Sequence, residues 1–355
     1  MRIFQYTLAL LLLITCNIRI CKSQSDDLNK SVKKEFIFDT ASFSQCHAST
    51  IVELKDGRLL SAWFGGSHEN APDVCIYISY NKKGKWSSPQ LIADGKVNDS
   101  LRYACWNPVL FLSSKGKLFL FYKVGKSPQL WWGMMKVSTN NGLSWSSAER
   151  LPSGFLGPIK NKPIELEDGT ILCPSSIERG DDWKLHIEST SDDGKTWKYI
   201  PVDTASNVKV IQPCILKYPS NKLQLLCRSN QNYILQSWST DNGKTWSKLT
   251  KTELPNPNSG IDAVTLSDGL QMLVYNPMEA GKEWVEGRNK LNVAMTLDGE
   301  NWKKILELED QKEGEFSYPA IVQTKDKRVH ITYTYNRKRI KHVLLNYHKL
   351  LHYPE

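Results

Sequence analysis

One short motif, Ser/Thr-x-Asp-x-Gly-x-x-Trp, recurs along the chain and restricts its fold more than any other feature. Full copies run from Thr190 to Trp197 and from Ser239 to Trp246. Ser138 to Trp145 has Asn in place of Asp, Thr296 to Trp302 is one residue short, and Ser79 to Trp86 is degraded. In each copy we expect the Asp or Asn to accept backbone N–H bonds in a tight turn. Gly supplies a positive φ, and Trp packs into the apolar layer between sheets.

A longer repeat of strand, tight turn and strand covers the chain from residue 47 onward. Its six copies are His47 to Trp63, Cys105 to Val124, Ile159 to Ser176, Val210 to Ser229, Ser259 to Pro277 and Phe316 to Arg337. Their turns suit β-hairpins and are Asp56-Gly57, Lys115-Gly116, Asp168-Gly169, Ser220-Asn221, Asp268-Gly269 and Asp326-Lys327. The repeat length, about fifty residues, is that of a four-stranded propeller blade.

These repeats predict an all-β fold, a six-bladed β-propeller. The turns formed by the Ser/Thr-x-Asp-x-Gly-x-x-Trp motif are called Asp boxes. We expect residues 35–40 to pair with the last blade and close the ring. A seven-bladed ring with one degenerate blade and a β-sandwich are the alternatives. No helical pattern or linker divides the repeats, so we expect residues 24–355 to form one catalytic domain.

The first residues have the composition of a secretory signal. A basic Arg2 is followed by an apolar run over residues 8–14, and Cys21 and Ser23 stand at −3 and −1 of a signal-peptidase site. We therefore predict that residues 1–23 are a signal peptide and that the protein is exported to the periplasm or the extracellular space. Leu13-Ile14-Thr15-Cys16 also resembles a lipobox, so lipid anchoring through Cys16 is the alternative. No later stretch is long and apolar enough to predict a membrane span.

Charge and cysteine content restrict the partners. Removing residues 1–23 lowers the formal charge from +9 to +6, which favours an anionic partner such as an acidic glycan. There is no dense Lys/Arg block, so we expect no nucleic-acid binding. No Cys-x-x-Cys pair occurs, so we expect no metal and no cofactor. We expect a monomer in which most of the six remaining cysteines are buried free thiols.

The innermost strands of a propeller line its axis, so polar residues near the start of each first strand should converge. Polar side chains are costly to bury there unless they have a use, although some serve only to hydrogen-bond neighbouring blades. Four further positions join them: a Gly-rich loop over residues 64–73, the end of the fourth blade's second strand, a strand start in the fifth blade, and the entry to the last blade. The resulting candidates are His47, Trp106, Asn107, Lys160, Lys162, Gln212, Asp262, Tyr318, His68, Glu69, Asp73, Arg228, Arg288 and Glu315.

Asp boxes on a six-unit repeat resemble the sialidase-like propellers, also called BNR-repeat proteins. In sialidases of that superfamily three arginines bind a carboxylate, a Tyr paired with a Glu is the nucleophile, and an Asp is the acid/base. By this resemblance Arg228 and Arg288 match the second and third arginines, Tyr318 matches the nucleophile and Asp73 the acid/base. The first arginine is missing, because Cys46-His47-Ala48-Ser49-Thr50 replaces the usual Arg-Ile-Pro.

A histidine near the place of that arginine favours a different reaction on a related substrate. Elimination across C4–C5 of a uronic acid needs cations on the carboxylate, a base at C5 and an acid for the leaving oxygen. This pattern resembles uronic-acid lyases and the oligosaccharide dehydratase of ulvan-degrading bacteria. We therefore predict a carbon–oxygen lyase or dehydratase acting at the non-reducing-end uronic acid of an acidic, sulfated oligosaccharide such as ulvan. Its predicted catalytic residues are His47, His68, Tyr318 and Asp73, and the other candidates would bind substrate.

Two alternatives stay open at this point. One is a sialidase-like exo-glycoside hydrolase that acts on an acidic sugar without the first arginine. The other is a non-catalytic glycan-binding propeller, which would not need an acid/base set.

Overall fold

Six antiparallel sheets are arranged in a ring in the computed structural model, which describes residues 31–204, 207–283 and 285–350. The sequence-based prediction of a six-bladed β-propeller is thereby confirmed. The first strands of the blades contact one another, β2 lying against both β7 and β23, and β19 against β15 and β23. These first strands are therefore the innermost.

Blades 1 to 3 are formed by consecutive strands. Blade 1 contains β2 (Gln45–Glu53), β3 (Leu59–Gly66), β4 (Cys75–Lys82), β5 (Lys85–Trp86) and β6 (Gln90–Ala93). Blade 2 contains β7 (Ala104–Leu112), β8 (Leu118–Gly125), β9 (Trp132–Ser138) and β10 (Glu149–Arg150). Blade 3 contains β11 (Ile164–Glu165), β12 (Ile171–Arg179), β13 (Asp182–Thr190) and β14 (Lys198–Pro201).

Blades 4 to 6 repeat the pattern. Blade 4 contains β15 (Val210–Lys217), β16 (Leu223–Ser229), β17 (Tyr233–Ser239) and β18 (Thr250–Pro255). Blade 5 contains β19 (Asp262–Thr265), β20 (Gln271–Tyr275), β21 (Lys290–Thr296) and β22 (Lys303–Asp310). Blade 6 contains β23 (Phe316–Gln323), β24 (Val329–Tyr335) and β25 (Arg339–Leu345), followed by a short helix, α1 (Tyr347–Leu350).

The ring is closed by β1 (Val32–Phe36), which becomes the outer strand of blade 6. It pairs antiparallel with β25, from Val32 opposite Leu345 to Phe36 opposite Lys341. Closure by the N-terminal segment was predicted, but the pairing begins three residues before the expected Glu35. The predicted signal peptide, residues 1–23, lies outside the described residues.

The Asp boxes have the geometry that their sequence predicts. In the blade 3 copy Asp192 Oδ1 accepts the backbone N–H of Thr196 at 2.9 Å, and the Trp197 indole donates to the Gly194 carbonyl at 2.8 Å. Gly194 has a φ of 88°, which explains the glycine at this position. The Trp197 ring then contacts Phe121 and Phe155 of the layer between blades 2 and 3.

Apolar layers between adjacent blades form the core, because each sheet buries both faces against its neighbours. All eight residues of β3 and all eight of β8 are buried. Consequently these strands are almost continuously apolar rather than alternating. The six cysteines of the described chain are buried and unbridged, as expected. Among the residues described, no helix is long and apolar enough to span a bilayer.

Candidate functional site

Four of the innermost strands share a local distortion near their first residues. Ala48, Asn107, Gln212 and Tyr318 have φ values of 54°, 37°, 55° and 52°, and pairing with the second strand shifts register at each of them. Positive φ is strained for residues other than glycine, and such strain persists where the surrounding structure holds it, often at ligand sites. A bulge also redirects side chains out of the regular alternation. The repeat thus presents special side chains at equivalent places around the axis.

Tyr318 is the centre of the site that these bulges create. Its side chain is half-buried, and its hydroxyl oxygen accepts a hydrogen bond from Arg228 Nη1 at 2.8 Å. The ring lies against His47, with centroids 4.1 Å apart and planes at 48°. A Cβ on Gly260 would lie 3.2 Å from the tyrosine ring, so a glycine there gives the ring its place. A cationic donor on the phenol oxygen stabilises negative charge on it.

Most N–H groups of the Arg228 guanidinium donate to other residues of the protein. Nε donates to Asn258 Oδ1 at 2.8 Å, Nη1 donates to Gln212 Oε1 at 3.2 Å as well as to Tyr318, and Nη2 donates to the Asn258 carbonyl. A guanidinium has five N–H groups, so one group on Nη2 has no bond to the described residues. Arg228 can therefore give a ligand its charge and one hydrogen bond in this arrangement, and a bidentate grip would require it to release a protein partner.

An alternating chain of charges extends from the site to the loop of blade 1. Glu315 accepts from Arg288 Nη1 at 3.1 Å, from Arg337 Nε at 2.7 Å and from the Ser317 hydroxyl at 2.8 Å. Arg337 Nη1 also donates to Glu69 at 2.5 Å. Burial would raise the pKa of the Glu315 carboxyl, but Arg337 and Arg288 outweigh it and hold that pKa below its usual value. Glu315 is therefore an anion that orients two arginines.

His47 is buried beneath Tyr318 and is neutral. Burial lowers its pKa well below the usual value, and repulsion from Arg337, Arg288, Lys160 and Arg228 adds to this shift. Among the described residues, its Nδ1 has no hydrogen-bond partner. Three arginines, joined by Lys160 when that lysine is protonated, therefore surround one uncharged imidazole, and the electrostatic environment of the site favours an anionic ligand.

The loop after β3 carries the other predicted histidine and acids. Asp73 accepts from the backbone N–H and the hydroxyl of Ser67, both at 2.9 Å, and His68 Nδ1 lies 3.2 Å from that hydroxyl. His68 and Asp73 are exposed. His68 nevertheless lines the same narrow cavity as His47, together with Glu69 and Arg337, although this cavity has no room for a water molecule. The structure thus brings the two histidines to one cavity, whereas Asp73 has no described contact with Tyr318.

The predicted lysines and Asp262 are engaged with the protein. Lys160 donates to Asn161 Oδ1 at 2.9 Å, to the Ile261 carbonyl at 2.9 Å and to the Pro319 carbonyl. Lys162 forms an ion pair with Asp262 at 2.9 Å. Because these bonds link blades 3, 5 and 6, they account for the burial of Lys160 and Asp262, while Lys162 is partly exposed. Burial lowers the pKa of Lys160 to about 7.

Blade 2 contributes aromatic side chains to the wall of the site. The Trp106 indole donates to the Gly125 carbonyl at 3.0 Å, and its ring packs between Phe64 and Trp131. Asn107 is buried at the neighbouring bulge. Since Phe64 in turn packs against His47, an aromatic wall extends from Tyr318 into blade 2.

Two residues near the site were not predicted from the sequence. Arg337 lies in the turn between β24 and β25, and its carbonyl accepts the N–H of Cys46 at 2.7 Å. Glu178 lies at the end of β12, where burial raises its pKa and nearby Arg228 opposes that shift. Glu178 could have been found by the pattern that identified Arg228, a charged residue near the end of an apolar second strand. Nothing in the local sequence distinguishes Arg337 from other turn residues.

This architecture can be compared with known proteins. The sequence profile of the BNR repeat-like domain matches residues 57–331, more than half of the chain. The chain belongs to the BNR repeat-like domain family. Comparison with curated proteins gave no match.

Solved structures similar to this BNR repeat-like protein are sialidase-like propellers and a protein of unknown function. The protein of unknown function from Dyadobacter fermentans superposes with a TM-score of 0.72 at 17% identity, over 89% of this chain and 99% of that one. The NanB sialidase of Streptococcus pneumoniae gives 0.70 at 13% identity, over 89% and 71%. Trypanosoma rangeli sialidase gives 0.72 at 17% identity, over 90% and 60%. At these identities the likeness establishes the fold.

Proposed function

We propose that this BNR repeat-like protein is an exported enzyme that eliminates across C4–C5 of a terminal uronic acid in an acidic oligosaccharide. The observation that supports the proposal best is the half-exposed Tyr318, hydrogen-bonded to Arg228 and packed on neutral His47. This arrangement places a proton-transfer group and an uncharged imidazole beside a cluster of cations. Export is part of the proposal and rests on the predicted signal peptide.

The chemistry would proceed as follows. The substrate carboxylate would lie near Arg288 and the open N–H of Arg228, which would stabilise the negative charge that develops when the C5 proton leaves. The exposed His68 would take this proton, because burial and the surrounding cations oppose the protonation of His47. The C4–O bond would then break as the C4–C5 double bond forms, and Tyr318 would give its proton to the departing oxygen. No net oxidation occurs, so no redox cofactor is needed.

Glycoside hydrolysis is the second candidate, and Glu178 favours it. Glu178 is a buried carboxyl whose pKa is raised by burial, an effect that nearby Arg228 opposes. A carboxyl of this kind could serve a tyrosine nucleophile or a water molecule. The similarity in fold to sialidases points the same way.

A panel of uronate-terminated and sialylated oligosaccharides, followed by mass spectrometry and ultraviolet absorbance, separates the candidates. Elimination of water would give a product lighter by one water and a conjugated uronate that absorbs strongly. Hydrolysis would add one water, with oxygen from the solvent. Release of sialic acid without any unsaturated product would refute elimination. Binding without turnover of any substrate would favour the glycan-binding alternative.

Tyr318→Phe gives the variant test. We expect it to lower turnover by roughly two to four orders of magnitude, the scale of losing a general acid or base. The matched control is Tyr199→Phe, at an exposed tyrosine on the outer strand of blade 3. Equal activity of both variants would remove Tyr318 from the mechanism.

A further inference from the structure

A second cavity, of about 200 Å³, lies between blades 2 and 3. We call it the blade 2–3 cavity. Its wall comes from residues 128–132 after β8, from residues 150–156 between the two blades, and from residues 177–179 at the end of β12. The second strands of all blades run in the same direction, so the ends of β8, β12 and β16 lie on one face of the ring. Arg228 lies near the end of β16, so the cavity and the candidate active site are on the same face.

Two contacts connect the blade 2–3 cavity to the candidate active site. On the blade 2 side, Trp131 packs edge-to-face on Trp106 with ring centroids 5.9 Å apart, and Trp106 belongs to the aromatic wall that reaches His47. On the blade 3 side, Glu178 lies near enough to Arg228 for the charge of the arginine to act on it. A ligand bound beside Tyr318 can therefore continue into this cavity.

Two polar groups on the cavity wall are available to a ligand. Glu178 is only 8% exposed, and its carboxyl has no hydrogen bond or ion pair with the residues that the structure describes. The indole N–H of the half-buried Trp131 likewise has no acceptor among those residues. A carboxyl oxygen accepts a hydroxyl hydrogen whether the group is ionised or protonated, and an indole N–H donates. Together the two groups can bind hydroxyl groups of one ligand.

Trp131 also provides an aromatic surface for packing. The guanidinium of Arg150 covers the neighbouring Trp132, 4.7 Å from the ring centroid, whereas no cation is stacked on Trp131 among the described residues. The half-buried Phe155 and Ile177 complete the apolar part of the wall. A pyranose ring has apolar C–H groups on one face and hydroxyls around its edge, so it matches an aromatic ring that lies beside hydrogen-bonding groups.

The size and the charges of the cavity suit one neutral sugar. Its volume is below the roughly 300–1,000 Å³ of pockets that take drug-sized ligands, so it has room for a single pyranose ring. Arg150 and Arg179 also line the cavity, but both are exposed and solvent screens their charges, whereas Glu178 is buried in the wall. An acidic group on the bound ring would lie against a carboxyl, which favours a sugar without one.

We infer that the blade 2–3 cavity binds the neutral sugar that follows the terminal acidic sugar of the substrate. The ring of this second sugar packs on Trp131, and Glu178 accepts a hydrogen bond from one of its hydroxyls. The inference rests on the proposed function, because it takes the Tyr318 site to hold the acidic sugar. The preferred substrate is then an oligosaccharide in which an acidic sugar is joined to a neutral one.

The test is isothermal titration calorimetry with β-D-glucuronosyl-(1→4)-L-rhamnose and with methyl β-D-glucuronide, which lacks the second sugar. Tyr318→Phe is the background, so that turnover does not consume the probes. We expect the disaccharide to bind about tenfold more tightly, the value of one hydrogen bond. Trp131→Ala should reduce this preference by roughly three- to tenfold. Trp238→Ala, at a half-buried tryptophan of blade 4, is the matched control and should retain the preference.

Glu178→Met keeps the length of the side chain and removes the acceptor, so it provides a second test even if Trp131→Ala does not fold, and it should also reduce the preference. Equal affinities for the two probes, no binding of the disaccharide, or a preference that survives both substitutions would overturn the inference. So would tighter binding of the same disaccharide carrying a sulfate on its rhamnose. A Trp131-dependent preference without any unsaturated product from the wild type would refute elimination and leave the second-sugar site standing.

Discussion

The buried ammonium of Lys160 allows a quantitative prediction about the inner wall of the site. Replacing it with methionine keeps the length of the side chain and removes the charge. Lys160 is fully enclosed by protein and bonds to the carbonyls of Ile261 and Pro319 and to Asn161. Burial lowers its pKa from 10.5 to about 7, so the folded protein gives up this proton far more readily than the unfolded chain does.

The sign and size of the effect follow from proton linkage. Between pH 7 and 10.5 the unfolded chain binds a proton at this lysine that the folded protein does not hold. The free energy of unfolding of the wild type therefore rises with pH in this window, by about 1.4 kcal/mol per pH unit from this lysine. Below pH 7 both states bind the proton and the contribution becomes constant. Lys160→Met lacks this dependence, and its lost hydrogen bonds give an offset that does not vary with pH.

Urea denaturation of wild type and Lys160→Met at pH 7, 8 and 9 measures the difference. We expect wild type minus variant to increase by about 2–3 kcal/mol over these two pH units. The cysteine thiols contribute the same pH dependence to the free energy of unfolding of both proteins, so their contribution cancels in the difference. Lys126→Met, at an exposed lysine, is the control and should show no change with pH. A difference that stays flat from pH 7 to pH 9 would mean that Lys160 keeps its proton in the folded protein, and that burial does not lower its pKa.

Three further predictions concern the contacts around the site and the ring closure. Arg228→Lys should lower kcat/KM on the acidic substrate by about tenfold or more, since lysine cannot reproduce the fork that holds Tyr318. The melting temperature should fall as well, because the buried bonds to Asn258 and Gln212 are lost; unchanged kinetics would contradict the role of Arg228 at the site. Arg337→Met should release Glu69 and increase hydrogen exchange in the loop over residues 67–73, and equal exchange rates would show that the ion pair does not hold the loop. Glu35 has a pKa of about 2 against a usual 4.5, so its stabilisation is present above pH 4.5 and is lost as the pH falls toward 2. Glu35→Gln should therefore narrow the difference between the free energies of unfolding at pH 7 and pH 3, by less than about 1 kcal/mol because Glu35 is partly exposed; a difference equal to that of the wild type would show that the Glu35 carboxylate does not stabilise the fold.

Local interactions explain why so much of the fold could be predicted. An Asp box closes its hydrogen bonds within a few residues, as between Asp192 and Thr196, so the sequence alone specifies the turn. The hairpin turn at Ser220 and Asn221 is equally local, with φ of 59° and 60°. Repeating such units at one period leaves each sheet with two apolar faces, and a ring of blades buries both.

The sequence also identified several polar residues of the site, because the repeat makes their positions equivalent. Gln212 and Tyr318 stand at the same bulge of two different blades, and the structure joins both to Arg228. Their catalytic roles and the elimination chemistry stay predictions. The same positional reasoning does not reveal that Arg228 is hydrogen-bonded to Asn258, because neither segment of the sequence indicates that the two residues meet.

By itself, the sequence determined the strands, the turns, the number of blades and most of the polar residues near the axis, since each depends on residues close together in the chain or on the period. The tertiary structure decided which charges meet. Arg337 reaches Glu69 across 268 residues, and Arg228 reaches Tyr318 across 90. Such pairs depend on the register of every blade and on the closure of the ring by β1. The partner of each charged residue, the charge of the site and the neutral state of His47 therefore depend on closure of the ring.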